Sequence, residues 1–579
     1  MKALRARRFD PRFAGIGAIL LAQAAAAGPF VKFEHLADEG LVSQTFRLTA
    51  PRTVHVVCEG ASDGADDEMY AYGWILNLQS RDVAWSLRAS TARKARGRNY
   101  AVESDVTLPA GDYAAYYAAF GDWRSRVKII RFMGREIGRI EIDDGRKKRS
   151  RRDSERWGLS LQTSQPDDPA VETPLPPPSP DPRLVVQITG TGDNSLEQRG
   201  FTLPGRMPLT VYCVGEIDPD EGTKNDFGWI LEARSRKKVW ELDKSNFKHA
   251  GGARMNKYAR ETITLPAGDY MVSYSTDTAH SPEGWWGPPP YDPDSWGITV
   301  WAQSAADAAR IRPYADDVDG QAIVALVRQR NDSYSAQGLT VTKPAQVRVY
   351  ALGEYQGRWA DEGWIEDFRT QRRVWGMSES NTLPAGGASK NRMVDEIVSL
   401  SPGDYVVRYR TDDSHAFKEW NAAPPNDPAH WGITLLGAGR GNDRSAFQLF
   451  DPEERESRDS NDLARLFRVG DDARVQAGFR LDRRTQVHIV AVGEGQAGEM
   501  YDYGWIEAAN GNSVWEMTMR NTHHAGGADK NRAFDGVIPL ERGEYRVHFV
   551  TDGSHSWDHW NADHPEDPFV WGIRVWPEK

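Results

Sequence analysis

Between Leu184 and Val300 the chain alternates apolar and polar residues in short runs: Leu184-Val185-Val186-Gln187-Ile188, Phe201-Thr202-Leu203, Leu209-Thr210-Val211-Tyr212-Cys213-Val214, Glu261-Thr262-Ile263-Thr264-Leu265 and Tyr270-Met271-Val272-Ser273-Tyr274. A period of two predicts strands with one face in a core, and the Gly, Pro, Asn and Asp clusters between runs predict turns. Pro266-Ala267-Gly268-Asp269 reads as a tight turn between two strands, and Pro402-Gly403-Asp404 repeats it. No run carries a convincing period of 3.6. The pattern predicts an all-β chain of sandwich type.

The same pattern is written four times. Gly-Trp-Ile falls at Trp74, Trp229, Trp364 and Trp505, and Gly-Asp/Glu-Tyr ends at Tyr113, Tyr270, Tyr405 and Tyr545. Trp-Gly-Ile/Leu starts at Trp157, Trp296, Trp431 and Trp571. Each unit is too long to be a stacking repeat and long enough to bury its own core. With 579 residues and about 150 per domain, length alone agrees with about four domains.

The expected organisation is four tandem β-sandwich (jelly-roll-like) domains at 28–163, 183–303, 321–437 and 463–579, the first divergent with a basic insertion. A Pro-rich linker covers 164–182, a shorter one 304–320 with a helical turn at Ala305–Ala309, and a charged linker or short helix 438–462. Residues 1–27 read as a signal peptide: a basic start, an apolar stretch from Phe13 and a small-residue end at Ala24–Ala27. That apolar stretch is short for a membrane anchor, and no other segment approaches the length of a span. The expected location is periplasmic or secreted.

Composition changes this picture little. A formal charge of −11 argues against a dedicated nucleic-acid binder, although Arg146-Lys147-Lys148-Arg149 in the first unit's insertion could meet an anionic surface. Cys58 and Cys213 fall at one position of the unit, filled by Ala351 and Ala491 elsewhere, which favours a small buried strand residue over a redox pair. The richness in tryptophan reads mostly as one domain's aromatic core counted four times. Trp285, Trp286, Trp420, Trp557 and Trp560 are the loop indoles that could offer a stacking face.

The strand order and the closing Leu265-Pro266-Ala267-Gly268-Asp269-Tyr270 hairpin resemble the bacterial pre-peptidase C-terminal domain, a secreted β-sandwich accessory module. The Gly-Trp-Ile and Trp-Asn blocks are not part of that family's usual pattern. The resemblance implies a non-catalytic module attached to secreted proteins.

Candidate chemistry gathers in one loop. Asp277, Asp412 and Asp552 open segments containing His280, His415 and His555, followed by Trp420-Asn421 and Trp560-Asn561, with Trp285 replacing the pair in the second unit. Gly-Gly-Ala segments ending in Lys390-Asn391 and Lys530-Asn531 accompany them, and exposed amides there could cradle an anion. These residues are the candidate ligand site. The competing reading, which weighs more, is a side-chain-bonded corner with Asp capping amides, and a glycine loop that needs positive φ. Glu354, Asp412 and His415, or Glu494, Asp552 and His555, are the candidate metal ligands. One recurring histidine per unit is poor for zinc, and calcium would suit the carboxylates better, so no cofactor is expected and calcium is the alternative.

The first unit lacks this loop and carries Ala61 where the others have Glu216, Glu354 and Glu494. No Gly-x-Ser-x-Gly, His-Glu-x-x-His or Rossmann fingerprint occurs. The expected function is a non-catalytic extracytoplasmic binding or surface-interaction protein for a glycan, a cell-envelope polymer or a protein. The alternatives are a metal-dependent or acid–base hydrolase using the same Glu/Asp/His cluster, and a purely structural spacer.

Overall fold

The computed structural model describes residues 28–34, 40–62, 69–120, 128–132, 135–140, 154–165, 167–176, 179–317, 320, 322–369, 372–438, 444–459, 461–557, 559–565 and 567–578. The signal-peptide segment, most of the basic insertion and parts of all three linkers lie outside them. The chain is all-β, with the same antiparallel topology drawn four times.

The fourth repeat shows the plan. Its strands are β1 (Ala464–Phe467), β2 (Arg474–Leu481), β3 (Thr485–Gln496), β4 (Glu499–Ala508), β5 (Ser513–Glu516), β6 (His523–His524), β7 (Asn531–Leu540), β8 (Gly543–Val550) and β9 (Gly572–Pro577). One sheet runs β6-β7-β3-β9-β1 and the other β5-β4-β8-β2. Among the described residues they join where the end of β3 meets β4, from Glu494 opposite Asp502 to Gln496 opposite Glu499. Between the sheets lie Val487, Ile489, Ala491, Ile506, Val547, Phe549, Trp571 and Ile573, all buried.

Alternation along β4 explains the Gly-Trp-Ile block: Ile506 enters the sandwich core and Trp505 points to the opposite face. The β7–β8 hairpin is tied by Tyr545, whose hydroxyl donates to the Glu541 carbonyl at 2.8 Å. Tyr113, Tyr270 and Tyr405 make the same bond to the residue four positions earlier, at 3.0 Å. The Gly-Asp/Glu-Tyr signature is therefore a corner device.

The described residues form two compact units. One holds residues up to Gly320 with Pro384–Asn391 and Lys418–Pro428; the other holds the rest of the third repeat and the fourth. In the first unit the segments before the second and third Trp-Gly dock on the repeats that precede them. Trp74 donates its indole N–H to the Tyr291 carbonyl at 2.7 Å, and Arg81 reaches Asp292 at 3.2 Å. One repeat further on, Trp229 donates to the Asn426 carbonyl at 2.6 Å, and Arg236 approaches Asp427 at 3.7 Å. In the second unit Phe569 of the fourth repeat lies 4.4 Å from Tyr334 of the third.

For Trp229 this corrects the assignment of the Gly-Trp-Ile tryptophans to each domain's own core, whereas Trp74 does belong to the first repeat's core cluster. Trp229 forms a separate cluster with Phe227 and Leu231, closed by Ala423 of the next repeat. Both cysteines are buried and free. The expected helical turn is an α-helix at Ala305–Ala308, capped by the Ser304 side chain, and the charged linker forms one at Pro452–Asp459. No helix among the described residues is long and apolar enough to cross a membrane.

Candidate functional site

In the fourth repeat the end of β3, the start of β4, the start of β7 and the loop after β8 converge. Their side chains are Glu494, Asp502, Asn531 and, from the loop, Asp552 and His555. Asp502 is fully buried, and its two carboxylate oxygens accept the main-chain N–H of Asp552 at 2.8 Å and the indole N–H of Trp571 at 3.1 Å. Burial, reinforced by the charges of Asp552 and Glu494, pushes the Asp502 carboxyl up to about 8.

Asp552 in turn caps the loop, accepting the Ser554 N–H at 3.0 Å. Asp277 and Asp412 do the same for Ala279 and Ser414, both at 2.9 Å. This is the side-chain-bonded corner that the Thr-Asp-x-Ser-His spacing suggests.

The histidines face inward. His555 is 0% exposed and adopts φ 57°, a left-handed conformation. Its Nε2–H donates to Asn531 Oδ1 at 2.6 Å, and its ring meets Trp560 and Trp571 edge-on at 5.1 and 5.7 Å. Burial pulls the imidazole down to about 4, so it is neutral at pH 7. His280 repeats the arrangement: φ 65°, Nε2 to Asn256 at 2.7 Å, Trp285 at 5.1 Å, and an imidazole pulled by burial to about 3. His415 is likewise buried at φ 61°, beside Trp431.

The asparagines hold the glycine loop. Asn531 Nδ2–H donates to Gly526 O at 2.8 Å and Asp563 O at 2.9 Å; Asn391 bonds Gly386 O and Ala423 O in the same way. Gly527 has φ 66°, and a Cβ there would lie 1.9 Å from the His564 carbonyl. Gly252 and Gly387 stand equally close to Pro289 and Pro424 carbonyls. The second glycine of each pair thus serves a close backbone approach to a carbonyl, while Gly251 faces the Tyr291 ring and Gly386 the Asn426 side chain. Lys530 Nζ bonds Glu494 Oε1 at 3.0 Å and Asn561 Oδ1 at 2.6 Å; Lys390 bonds Asn421 Oδ1 at 2.8 Å.

Among the described residues the groups able to hold a cation are Glu354, Asp361 and Asp412, and Glu494, Asp502 and Asp552, each set with ligand atoms within 4.8 Å. His415 and His555 belong to neither set, and His555 Nε2 is turned to Asn531. Sequence reasoning missed Asp226, Asp361 and Asp502. The available signal was an acidic residue three positions before every Gly-Trp-Ile tryptophan except Trp74, where Ala71 stands. The first repeat replaces all three acids with the buried apolar residues Ala61, Ala71 and Phe120. There Trp157 donates instead to Asn99 Oδ1 at 3.2 Å.

No family model and no curated protein matches the chain.

Proposed function

We propose that the chain is a non-catalytic interaction protein that acts outside the cytoplasm. Its repeats would bind a glycan, a cell-envelope polymer or a protein partner through the rims of the third and fourth corner loops. The supporting observation is the division of the fourth corner into an inner and an outer layer. Asp502, His555 and Asn531 bond inward, whereas Asn561 is exposed beside Lys530 and the half-buried Trp560. An amide, an ammonium and an indole edge suit hydroxyl-rich or carboxylate-bearing ligands. A hydrolase would need an accessible proton acceptor, and the enclosed His555 donates its Nε2 proton to Asn531. Similar rims in tandem suit avidity from weak sites.

The test is binding of the full chain to a panel of bacterial polysaccharides and peptidoglycan fragments, alongside the Asn421→Ala, Asn561→Ala double variant. Retention of the wild type, with at least tenfold weaker retention of the variant at an unchanged melting temperature, supports the reading. Turnover of any panel member that disappears in Asp502→Asn would overturn it in favour of a hydrolase.

A further inference from the structure

In each of the first three repeats, the segment that leaves the sandwich returns to add a strand to one sheet edge. Val171–Glu172 pairs with Gly40–Leu48, Arg312–Tyr314 with Leu196–Leu203, and Phe447–Phe450 with Tyr334–Val341. The equivalent edge of the fourth repeat is β2. It pairs with β8 on one side, and among the described residues no strand pairs its other side.

A glycine marks the register in the second and third repeats, where the first has Thr45. Gly200 lies opposite Tyr314 and Gly338 opposite Phe450 in the added strands. A Cβ on Gly338 would meet the Phe450 ring at 2.4 Å, and one on Gly200 would meet the Tyr314 carbonyl at 2.4 Å and its ring at 2.9 Å. Both glycines are therefore required by the chain that covers them. Gly478 holds the same register in β2, yet the nearest atom to its Cβ position is the Tyr545 carbonyl at 3.8 Å. Its φ is not positive either, so nothing among the described residues of the fourth repeat demands a glycine at a strand position where glycine is unfavourable.

Two residues along β2, Arg480 occupies the register of Arg47 in the first repeat. Arg47 pairs with Asp112 and, at 3.5 Å, with Glu172 of the added strand. Arg480 is 64% exposed, held loosely by Asp482 at 3.5 Å and Glu544 at 3.9 Å. With Arg474 at the other end of the same edge, it disfavours antiparallel self-pairing, which would bring arginines of two copies together.

We propose that β2 of the fourth repeat is an acceptor edge for an extended, acidic segment of another polypeptide. That segment adds as an antiparallel strand in the register of the internal linkers, with an aromatic side chain over Gly478 and a carboxylate two residues earlier opposite Arg480. The partner is thus recognised by a carboxylate-x-aromatic pattern in β conformation. This site is separate from the corner-loop rim and does not depend on it.

The probe is a fluorescein-labelled peptide of this chain's own linker strand, Ser445–Pro452, as it stands and with Gln448→Glu. Anisotropy is measured against the full-length protein in low salt and against its Gly478→Val and Arg480→Glu variants. Saturable binding is expected, at least threefold tighter for the Gln448→Glu peptide, with that preference reversed by Arg480→Glu. Gly478→Val is expected to weaken binding at least tenfold while its melting temperature stays level or rises, because the Cβ has open space and valine favours strands. No saturable binding by either peptide, or equal binding by Gly478→Val, overturns the proposal. A wild-type dimer abolished by Gly478→Val also overturns it, since the occupant would then be a second copy. Binding to polysaccharide tests the corner rim alone, so failure at one site is distinguishable from failure at the other.

Discussion

Asp502 accepts the indole N–H of Trp571, 69 residues further along the chain, at 3.1 Å, while its other oxygen holds the Asp552 N–H at 2.8 Å. One buried carboxyl thereby joins β4, the entry to β9 and the corner loop. Asp226 with Trp296, and Asp361 with Trp431, repeat the bond at 3.0 and 2.8 Å. Asp502→Ala would leave two buried donors unsatisfied, each costing about 1–3 kcal/mol, so the fourth repeat should lose about 2–6 kcal/mol. Denaturant unfolding followed by amide exchange checks this. Exchange should quicken in β9 and stay unchanged in Gly158–Gln162, the equivalent strand of the first repeat.

Two buried groups give the fourth repeat opposed pH dependences. His555 has a folded value near 4, below the ordinary value of about 6.5, so the unfolded chain binds the extra proton between them. Its contribution to stability is complete above pH 6.5 and is lost as pH falls to 4. Asp502, raised to about 8, works the other way. Its native state keeps a proton that the unfolded state releases, so stability declines from the ordinary carboxylate range up to pH 8. Asp502→Asn removes that decline, and its melting temperature relative to wild type should be higher at pH 8 than at pH 5. A difference independent of pH would show that Asp502 is ionised throughout.

How far the sequence carries differs between scaffold and site. Strand alternation and the Gly-Asp/Glu-Tyr hairpin mark the sandwich because they are local: Tyr545 bonds a carbonyl only four residues away. The corner reading of Asp552 is local too. His555 with Asn531 is not, since the residues lie 24 apart, one opening β7 and the other in the loop after β8. Periodicity places Trp229 and Ile230 on opposite faces, but both faces are apolar, so the pattern alone does not say that Ala423 of the next repeat closes one of them. Asp226, Asp361 and Asp502 were hidden because acidic residues in strands ordinarily point to water.

The cysteines give a sharper check. Burial pushes the Cys58 thiol up to about 12 and the Cys213 thiol higher still, so neither presents a thiolate at neutral pH. Neither should react with a thiol reagent in the native protein, and both should react after denaturation. Cys58→Ala should cost less than about 1.5 kcal/mol, in line with small volume changes in a core, because Ala351 and Ala491 fill the same strand position. A reductant-sensitive melting temperature would contradict this.

The docking of one repeat on the next predicts that equivalent tryptophans carry unequal weight. Trp229 is 0% exposed, donates to Asn426 and lies outside its own sandwich core. Trp505, at the same position of the fourth repeat, is only half-buried and is covered by stacking on His548 at 4.6 Å. Trp229→Ala should therefore cost about 3–5 kcal/mol, as for a large buried side chain, whereas Trp505→Ala should cost about 1 kcal/mol. The first loss falls on the coupling between repeats, because Ile230 and the second repeat's inner core are untouched. Calorimetry of the full chain should then resolve an additional transition for Trp229→Ala and none for Trp505→Ala. Arg236→Ala, which removes the approach to Asp427 and the pair with Asp316, should shift the same transition by less. Equal effects of the two tryptophan variants would mean that the Gly-Trp-Ile indole stabilises its own domain and that the next repeat's loop adds nothing.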